Sequence, residues 1–435
     1  MQPFSVSLAE MLDARERRAR MQKEFLGRAE KTDCLVSLCL NIAGDVKRTP
    51  KTRLLFDRGL AAFDRLGFCE ARRIVTDAVT GTEALVLLRE DAHAVKRALE
   101  RLEDAFPAAR LFDFDVLNAD GEKLSRTEPR KCLVCGGPAA VCARSRAHGL
   151  DAVKAATNAL LDEFCAETLA LTAHFALERE LHTTPKPGLV DDANSGAHAD
   201  MNAATFLKSA AALVPYFKTA VSLGLQNAGM PPLKEAGLDA ERAMFAATNG
   251  VNTHRGMIYS MGLLLYGMGE ALNDGSDAVA NASALARSDE ADRLSHAMRA
   301  QDSHGAKIFA ETGLRGAVGE AADGFFHACY TADRLKAHGH SDNPGALALC
   351  DVLCVLSDTN LLHRGGVEGL RFVQESAKAI VKKPESERIE ALKQLDRELI
   401  RRNLSPGGSA DMLALAYLLD AWKTLSMDPF SEVRP

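Results

Sequence analysis

The stretch TPKPGLVDDANSGAHADM, beginning at Thr184, gathers Lys186, Asp191, Asp192, Asn194, His198 and Asp200 in one short segment. Its prolines and glycines make it a loop. Four more segments put Asn, Asp, His, Ser or Glu beside glycine: GVNTHRG from Gly250, DSHGAKIFAETGLRGAVGEAADGF from Asp302, SDTNLLHRGG from Ser357 and NLSPGGSADM from Asn403. One such loop is explained as a capped turn, since Asn, Asp and Ser cap helices routinely. Five in one helical region point instead to a shared cavity, where helix N-termini offer amide N–H groups to phosphates. The inventory fits a polyphosphate held with Mg²⁺. Asp191, Asp192, Asp200, Glu320 and Asp358 could hold the metal; Lys186, Arg255 and Arg364 could neutralise phosphates, with Asn194, Asn252 and Ser409 as polar partners. His198, His254 and His304, with Glu320, are the candidates for moving protons, although each histidine taken singly reads as a satisfied structural residue. No G-x4-G-K-[ST] segment and no serine in a nucleophile elbow occurs, which argues against a P-loop ATPase.

The first part of the chain carries different chemistry. In LFDFDVLN, Asp113 and Asp115 are two apart, so on a strand they share a face. Paired carboxylates are tolerated where a cation sits between them, and Mg²⁺ held by such a pair with substrate phosphates serves phosphoryl and nucleotidyl transfer. The alternative is a solvated strand face. Downstream, Cys132, Cys135, Cys142 and His148 form C-x2-C-x6-C-x5-H. The first pair has zinc-knuckle spacing and the set could hold a structural zinc, or the cysteines could be free thiols. Arg144 and Arg146 are phosphate ligands or surface charges.

These residues need elements to position them. Residues 1 to about 150 read as mixed α and β: a charged helix over 15–31, a strand from Cys34, a helix from Thr49, a hairpin turning near Thr80-Gly81, a helix N-capped by Asp91, and a strand from Arg110 that turns at 119–121 and returns. From Leu150 onward the chain is rich in Ala and Leu at helical spacing, which predicts an all-α region. The domain boundary is placed at 155/156, with an α+β domain over 1–155 and an all-helical one over 156–435.

Composition sets the outer limits. A chain of 435 residues exceeds what one core serves. With 47% hydrophobic and 26% charged residues it is an ordinary globular composition, and a net charge of -6 argues against a nucleic-acid or membrane-surface binder. The apolar stretch GMIYSMGLLLYGMG from Gly256 is shorter than the ~20 residues a membrane span needs. The first residues lack the order of a signal peptide, so a cytoplasmic protein is expected, with its ten cysteines as thiols or ligands.

RLFDFDVLNADGEKLSR followed by RKCLVCGGPAAVCARSRAHGL resembles the citrate lyase holo-acyl-carrier-protein synthase family of phosphoribosyl-dephospho-CoA transferases. That resemblance implies a nucleotidyltransferase-like fold, Mg²⁺ on Asp113 and Asp115, and Lys47 in a phosphate-handling loop, where this chain has Ala43-Gly44-Asp45 instead of Pro-Gly-Pro. A serine of the lyase's acyl carrier (gamma) subunit would attack the α-phosphate of a triphosphate, releasing pyrophosphate. The five loops closely resemble those of the triphosphoribosyl-dephospho-CoA synthase family, with Ser195 in place of Asn and Val318 in place of Arg. Arg315, three residues earlier, could supply that charge. The resemblance implies ATP and 3′-dephospho-CoA as substrates and adenine as a product. One chain would then make the prosthetic group and attach it. Three alternatives stay open: the same chemistry serving malonate decarboxylase, a Mg²⁺-dependent hydrolase of ADP-ribose-type bonds, and a non-catalytic assembly factor.

Overall fold

The computed structural model describes residues 5–297 and 315–426. The chain separates into two compact units: Met1–Cys165 with Leu272–Gly275, and Ala166–Ala271 with Ser276–Pro435. The division falls inside a single helix, ten residues beyond the boundary expected from composition, because Ala- and Leu-rich helical sequence runs across it without a break.

The first unit contains α1 (Leu8–Leu26), β1 (Cys34–Leu40), α2 (Pro50–Asp64), β2 (Glu70–Ala78), β3 (Gly81–Leu88), α3 (Ala92–Glu103), β4 (Phe112–Asn118) and α4 (Ala139–Ser145). The four strands form an antiparallel sheet in the order β2-β3-β1-β4. Alternation along the strands divides the side chains between two faces. Val36, Leu38, Val86, Phe112, Phe114 and Val116 are buried on one face, where Gly59 of α2 lies so near the Phe112 ring that a Cβ would be 2.7 Å from it. On the other, Leu35, Leu85 and Leu87 pack with Phe25 of α1. Further along that second face, Cys39 pairs with Asp113 and Ser37 with Asp115. The expected return strand after Gly121 is reduced to one bridge, Leu117 to Lys123. The open edge of β4 is met by α3 instead: Lys96 Nζ donates to the Phe114 carbonyl at 3.2 Å, and the Glu103 carboxylate accepts the Phe114 N–H at 2.9 Å.

The second unit is helical throughout its described residues. It holds the end of α5 (Leu150–Leu181), then α6 (Ala203–Leu225), α7 (Met230–Ala247), α8 (Arg255–Asp274), α9 (Ala278–Ala297), α10 (Gly316–Ala322), α11 (Phe326–Ala337), α12 (Pro344–Leu353), α13 (Thr359–Val381), α14 (Glu385–Arg401) and α15 (Gly407–Ser426). The apolar run from Gly256 is buried in α8 as core, with Met261, Leu263, Leu264 and Leu265 excluded from solvent. None of the helices among the described residues is long and apolar enough to cross a membrane. Glycines let α6 and α8 approach backbone to backbone: a Cβ on Gly224 would collide with the Tyr266 carbonyl oxygen, and one on Gly269 with that of Val221.

That contact cannot relax by rotating a side chain, because its obstacle is main chain. Gly224→Ala is expected to destabilise the helical unit by about 1–3 kcal/mol through overpacking, despite the better helix propensity of alanine. Urea unfolding followed by circular dichroism reads the midpoint; an unchanged or higher midpoint would contradict the close approach.

Candidate functional site

The described residues of the helical unit surround a cavity of about 990 Å³, at the upper end of the ~300–1,000 Å³ usual for ligand sites. Its wall is built from the five segments that stood out in the sequence: the loop after α5, the start of α8, α10, the α12–α13 connection and the start of α15. The first residues of α8, α13 and α15 all contribute, so three helix N-termini bring their positive dipole ends to one wall.

The cavity sorts the acidic residues. Asp358 is 2% exposed and N-caps α13, accepting the N–H groups of Asn360 at 2.9 Å and Leu361 at 3.3 Å. Its other oxygen accepts Ser409 N at 2.8 Å and Ser409 Oγ at 2.9 Å, tying the start of α13 to that of α15. Four donors fill the ~four lone-pair positions of a carboxylate, which corrects the expectation of Asp358 as a metal ligand and Ser409 as a phosphate ligand. Asp191 accepts the N–H groups of Lys186, Ala193 and Asn194 and lies outside the cavity wall, so it shapes the loop rather than facing a cation. Asn194 is outside the wall too, bonded to Asp396 at 2.9 Å and to Gly196 N. Asp192 pairs with His182 at the surface. Glu320 lines the cavity but holds the start of α11, accepting His327 N and Nδ1, both at 2.7 Å, and Ala328 N.

Two acids that the sequence reading passed over remain. Glu180, buried at the end of α5, pairs with Lys186, which is itself 1% exposed; burial first, then Asp191, pushes the Glu180 carboxyl up, against the pull of Lys186. Asp411, in the first turns of α15, makes no hydrogen bond to any described residue. Burial, with Asp358 and Glu180 nearby, holds it well above the ordinary carboxylate value. Its signal was a carboxylate set directly before the apolar run MLALAYLL, where a helix otherwise turns apolar residues inward.

The bases sort in the same way. Arg364 donates to His198 Nδ1 at 3.2 Å, so the His198 Nε2–H faces Ser405 Oγ at 2.8 Å; burial and Arg364 lower its pKa. With both nitrogens used, His198 orients Arg364 instead of shuttling protons. His254 bonds Ser209 through Nδ1 at 2.7 Å, and burial, with Lys186 nearby, lowers it to about 4, so it is neutral. Asn252 accepts from Arg255 N at the start of α8. Arg255 pairs with Glu241, and Arg315 with Glu290 and Asp323. All three line the cavity, as do Lys186, Arg364 and Asp200. His304 lies outside the described residues.

In the sheet unit, Asp113 and Asp115 do share a face. Lys123 Nζ reaches Asp115 at 2.6 Å, and an Arg130 nitrogen lies 3.6 Å from Asp113. Arg18 of α1, bonded to Glu83 at 2.6 Å, also feels the charge of Asp113. Neither Arg18 nor Glu83 was legible, because only the register of β3 beside β1 brings Glu83 to the side of Cys39. Lys47 donates to the Ile42 carbonyl; burial, Arg15 and Lys154 lower its pKa, so three cations gather at its loop. Ligand atoms of Cys132, Cys135, Cys142 and His148 come together as well.

The helical unit thus offers a large polar cavity, and the sheet unit a strand face with two carboxylates. Residues 166–429 match the family described as ATP:dephospho-CoA triphosphoribosyl transferase, and residues 6–164 the family described as apo-citrate lyase phosphoribosyl-dephospho-CoA transferase. A Haemophilus influenzae protein named CitXG is 34% identical over 94% of this chain and 95% of its own length. A Leuconostoc mesenteroides protein of the same name is 31% identical, covering 95% and 97%. A 2-(5''-triphosphoribosyl)-3'-dephosphocoenzyme-A synthase of Haemophilus ducreyi is 33% identical, covering 65% of this chain and 97% of its own. The chain belongs to the ATP:dephospho-CoA triphosphoribosyl transferase family, fused to a phosphoribosyl-dephospho-CoA transferase, and is a bifunctional transferase for synthesis of the citrate lyase prosthetic group.

The Asp411 environment has a measurable consequence. A carboxyl whose pKa is raised by folding binds protons more readily folded than unfolded, so stability falls as pH climbs above its unfolded value near 3.8. Asp411→Asn should therefore raise the melting temperature at neutral pH, by about 2–4 °C per ~1 kcal/mol relieved, and the gain should shrink toward pH 4. Asp358→Ala should do the opposite, by about 1–2 kcal/mol, through loss of the cap. Scanning calorimetry across pH separates the two; a destabilised Asp411→Asn would contradict the unpartnered carboxyl.

Proposed function

We propose that in the helical unit the 2′-hydroxyl of 3′-dephospho-CoA attacks C1 of the ATP ribose, forming the new C–O bond as the bond to adenine breaks and leaving the triphosphate on the transferred sugar. The observation that carries this reading is Asp411: a carboxyl with a raised pKa and no hydrogen-bond partner among the described residues, on a cavity wall that also carries Lys186, Arg255, Arg315 and Arg364. A ribosyl centre losing its base develops oxocarbenium character, which a nearby carboxylate stabilises, and the same group is placed to take the hydroxyl proton. Overall that proton passes to the departing adenine. Lys186, Arg255, Arg315 and Arg364 hold the triphosphate, with the N-termini of α8, α13 and α15. His198 keeps Arg364 in place.

Mg²⁺ would arrive on the triphosphate, with the exposed Asp200 on the cavity wall as an oxygen ligand, whereas Asp191 and Asp358 have their lone pairs engaged by main-chain donors. Bound there, the ion would neutralise phosphate oxygens.

In the sheet unit, Asp113 and Asp115 on one strand face support a nucleotidyltransferase-like reading. Once Lys123 and Arg130 yield to substrate, both aspartates are available as oxygen ligands for Mg²⁺. Lys47, with Arg15 and Lys154, receives the phosphates, and a serine of the citrate lyase acyl carrier subunit attacks the α-phosphate as pyrophosphate leaves.

Chromatography with mass detection tests the first half directly. With ATP and Mg²⁺, adenine should appear only when 3′-dephospho-CoA is added, and the product mass should equal both substrates minus adenine. Adenine release to water alone would replace the reading with a hydrolase. Asp411→Asn should cut turnover at least ~10²-fold, the range for loss of one general base. Asp113→Asn should leave adenine release intact and abolish labelling of the acyl carrier; equal loss of both would sink the division of labour.

A further inference from the structure

The cysteine segment is a constellation that neither proposed reaction uses. Among the described residues, the ligand atoms of Cys132, Cys135, Cys142 and His148 all lie within 4.8 Å of one another. The Sγ atoms of Cys135 and Cys142 are 3.6 Å apart, close to the roughly 3.8 Å that two thiolates adopt on a tetrahedral zinc with ~2.3 Å bonds. Local structure builds the cluster deliberately. The chain folds back so that Cys132 N bonds the Gly137 carbonyl and Gly136 N bonds the Cys132 carbonyl, with Gly136 at φ +73°, where a side chain would be strained. This turn aims the main-chain N–H groups of Cys135 and Val134 at the Cys132 sulfur. Helix α4 then presents Cys142, and Arg146 in the left-handed region ends it, so the chain turns back toward His148. A second observation is independent of the thiols. His148 Nε2 is buried with no hydrogen-bond partner, an arrangement that is destabilising unless something fills it.

We propose that Cys132, Cys135, Cys142 and His148 form a tetrahedral structural zinc site. Three thiolates and a neutral imidazole close the coordination sphere, so the site is not catalytic. Binding releases the thiol protons, and the resulting net negative charge sits among Arg130, Lys131, Arg144 and Arg146. The site's purpose follows from its neighbour. The Arg130 carbonyl accepts Ala139 N at 2.9 Å, so the knuckle holds Arg130, whose guanidinium bonds Glu103 at 2.5 Å and lies 3.6 Å from Asp113. Zinc thereby positions a cation beside the Asp113–Asp115 face.

The full chain, purified without chelator, should carry one zinc per polypeptide by plasma mass spectrometry. Cys135→Ser and His148→Ala should each lower occupancy at least tenfold, while Cys69→Ser, at an exposed cysteine outside the cluster, should not. After chelation, cobalt titration of the unaltered chain should give the visible bands of tetrahedral Co²⁺, a readout that does not depend on variants folding. Stripped protein should lose acyl-carrier labelling and keep dephospho-CoA-dependent adenine release. A chain that is metal-free and gives no cobalt bands, one that carries iron at these residues, or one with a Cys135–Cys142 disulfide by peptide mapping would overturn the proposal.

Discussion

Asp358 takes four hydrogen bonds and so joins two helices that are far apart in the chain. Its carboxylate caps α13 through Asn360 and Leu361 and reaches Ser409 at the start of α15. A buried charge persists only if its lone pairs are met, and helix N-termini are where spare N–H donors are found. The helical unit repeats this solution. Asp191 gathers the amides of its own loop, Glu320 the start of α11, and Asp396 meets Gly188 N and Asn194. Each acid so engaged fixes a loop at the cavity, and the loops it fixes hold the arginines and lysine that face inward.

Against that background Asp411 is the exception, and a functional site is where such exceptions are expected. It lines the cavity, partly open to it, and lacks their donors. Its raised pKa comes from burial and from Asp358 and Glu180, so the engaged carboxylates contribute to the reactivity of the free one. The histidines show the converse. His254 is lowered to about 4 by burial beside Lys186, and His198 spends its acceptor nitrogen on Arg364. Both hold the geometry of cations and neighbouring hydroxyls.

The sheet unit meets its own constraint at β4, an edge strand carrying two acids. The edge is covered by side chains of α3, through Lys96 and Glu103, and Glu103 in turn fixes Arg126 and Arg130. An edge so covered is closed to pairing with another strand. The acids face away from the aromatic core of Phe112 and Phe114, which stack at 4.8 Å beneath them.

Much was readable from local pattern, because period, caps and turn residues act over a few positions. The alternation of LFDFDVLN set Asp113 and Asp115 on one face, Asp91 marked the start of α3, and Thr80-Gly81 the hairpin. The five polar loops announced one cavity, and spacing alone drew attention to Cys132, Cys135, Cys142 and His148. What each loop residue does was not readable. Asp191, Asp358 and Asp411 are the same residue type in equally polar segments, and they differ only in which main-chain donors the folded chain brings within 3 Å of them. Glu83 and Arg18 meet near Asp113 only through strand register and helix packing. Sequence supplies the groups and their local conformation; the count of hydrogen bonds each buried group receives is a long-range property, and it alone separates a carboxylate that holds the scaffold from one left free to react.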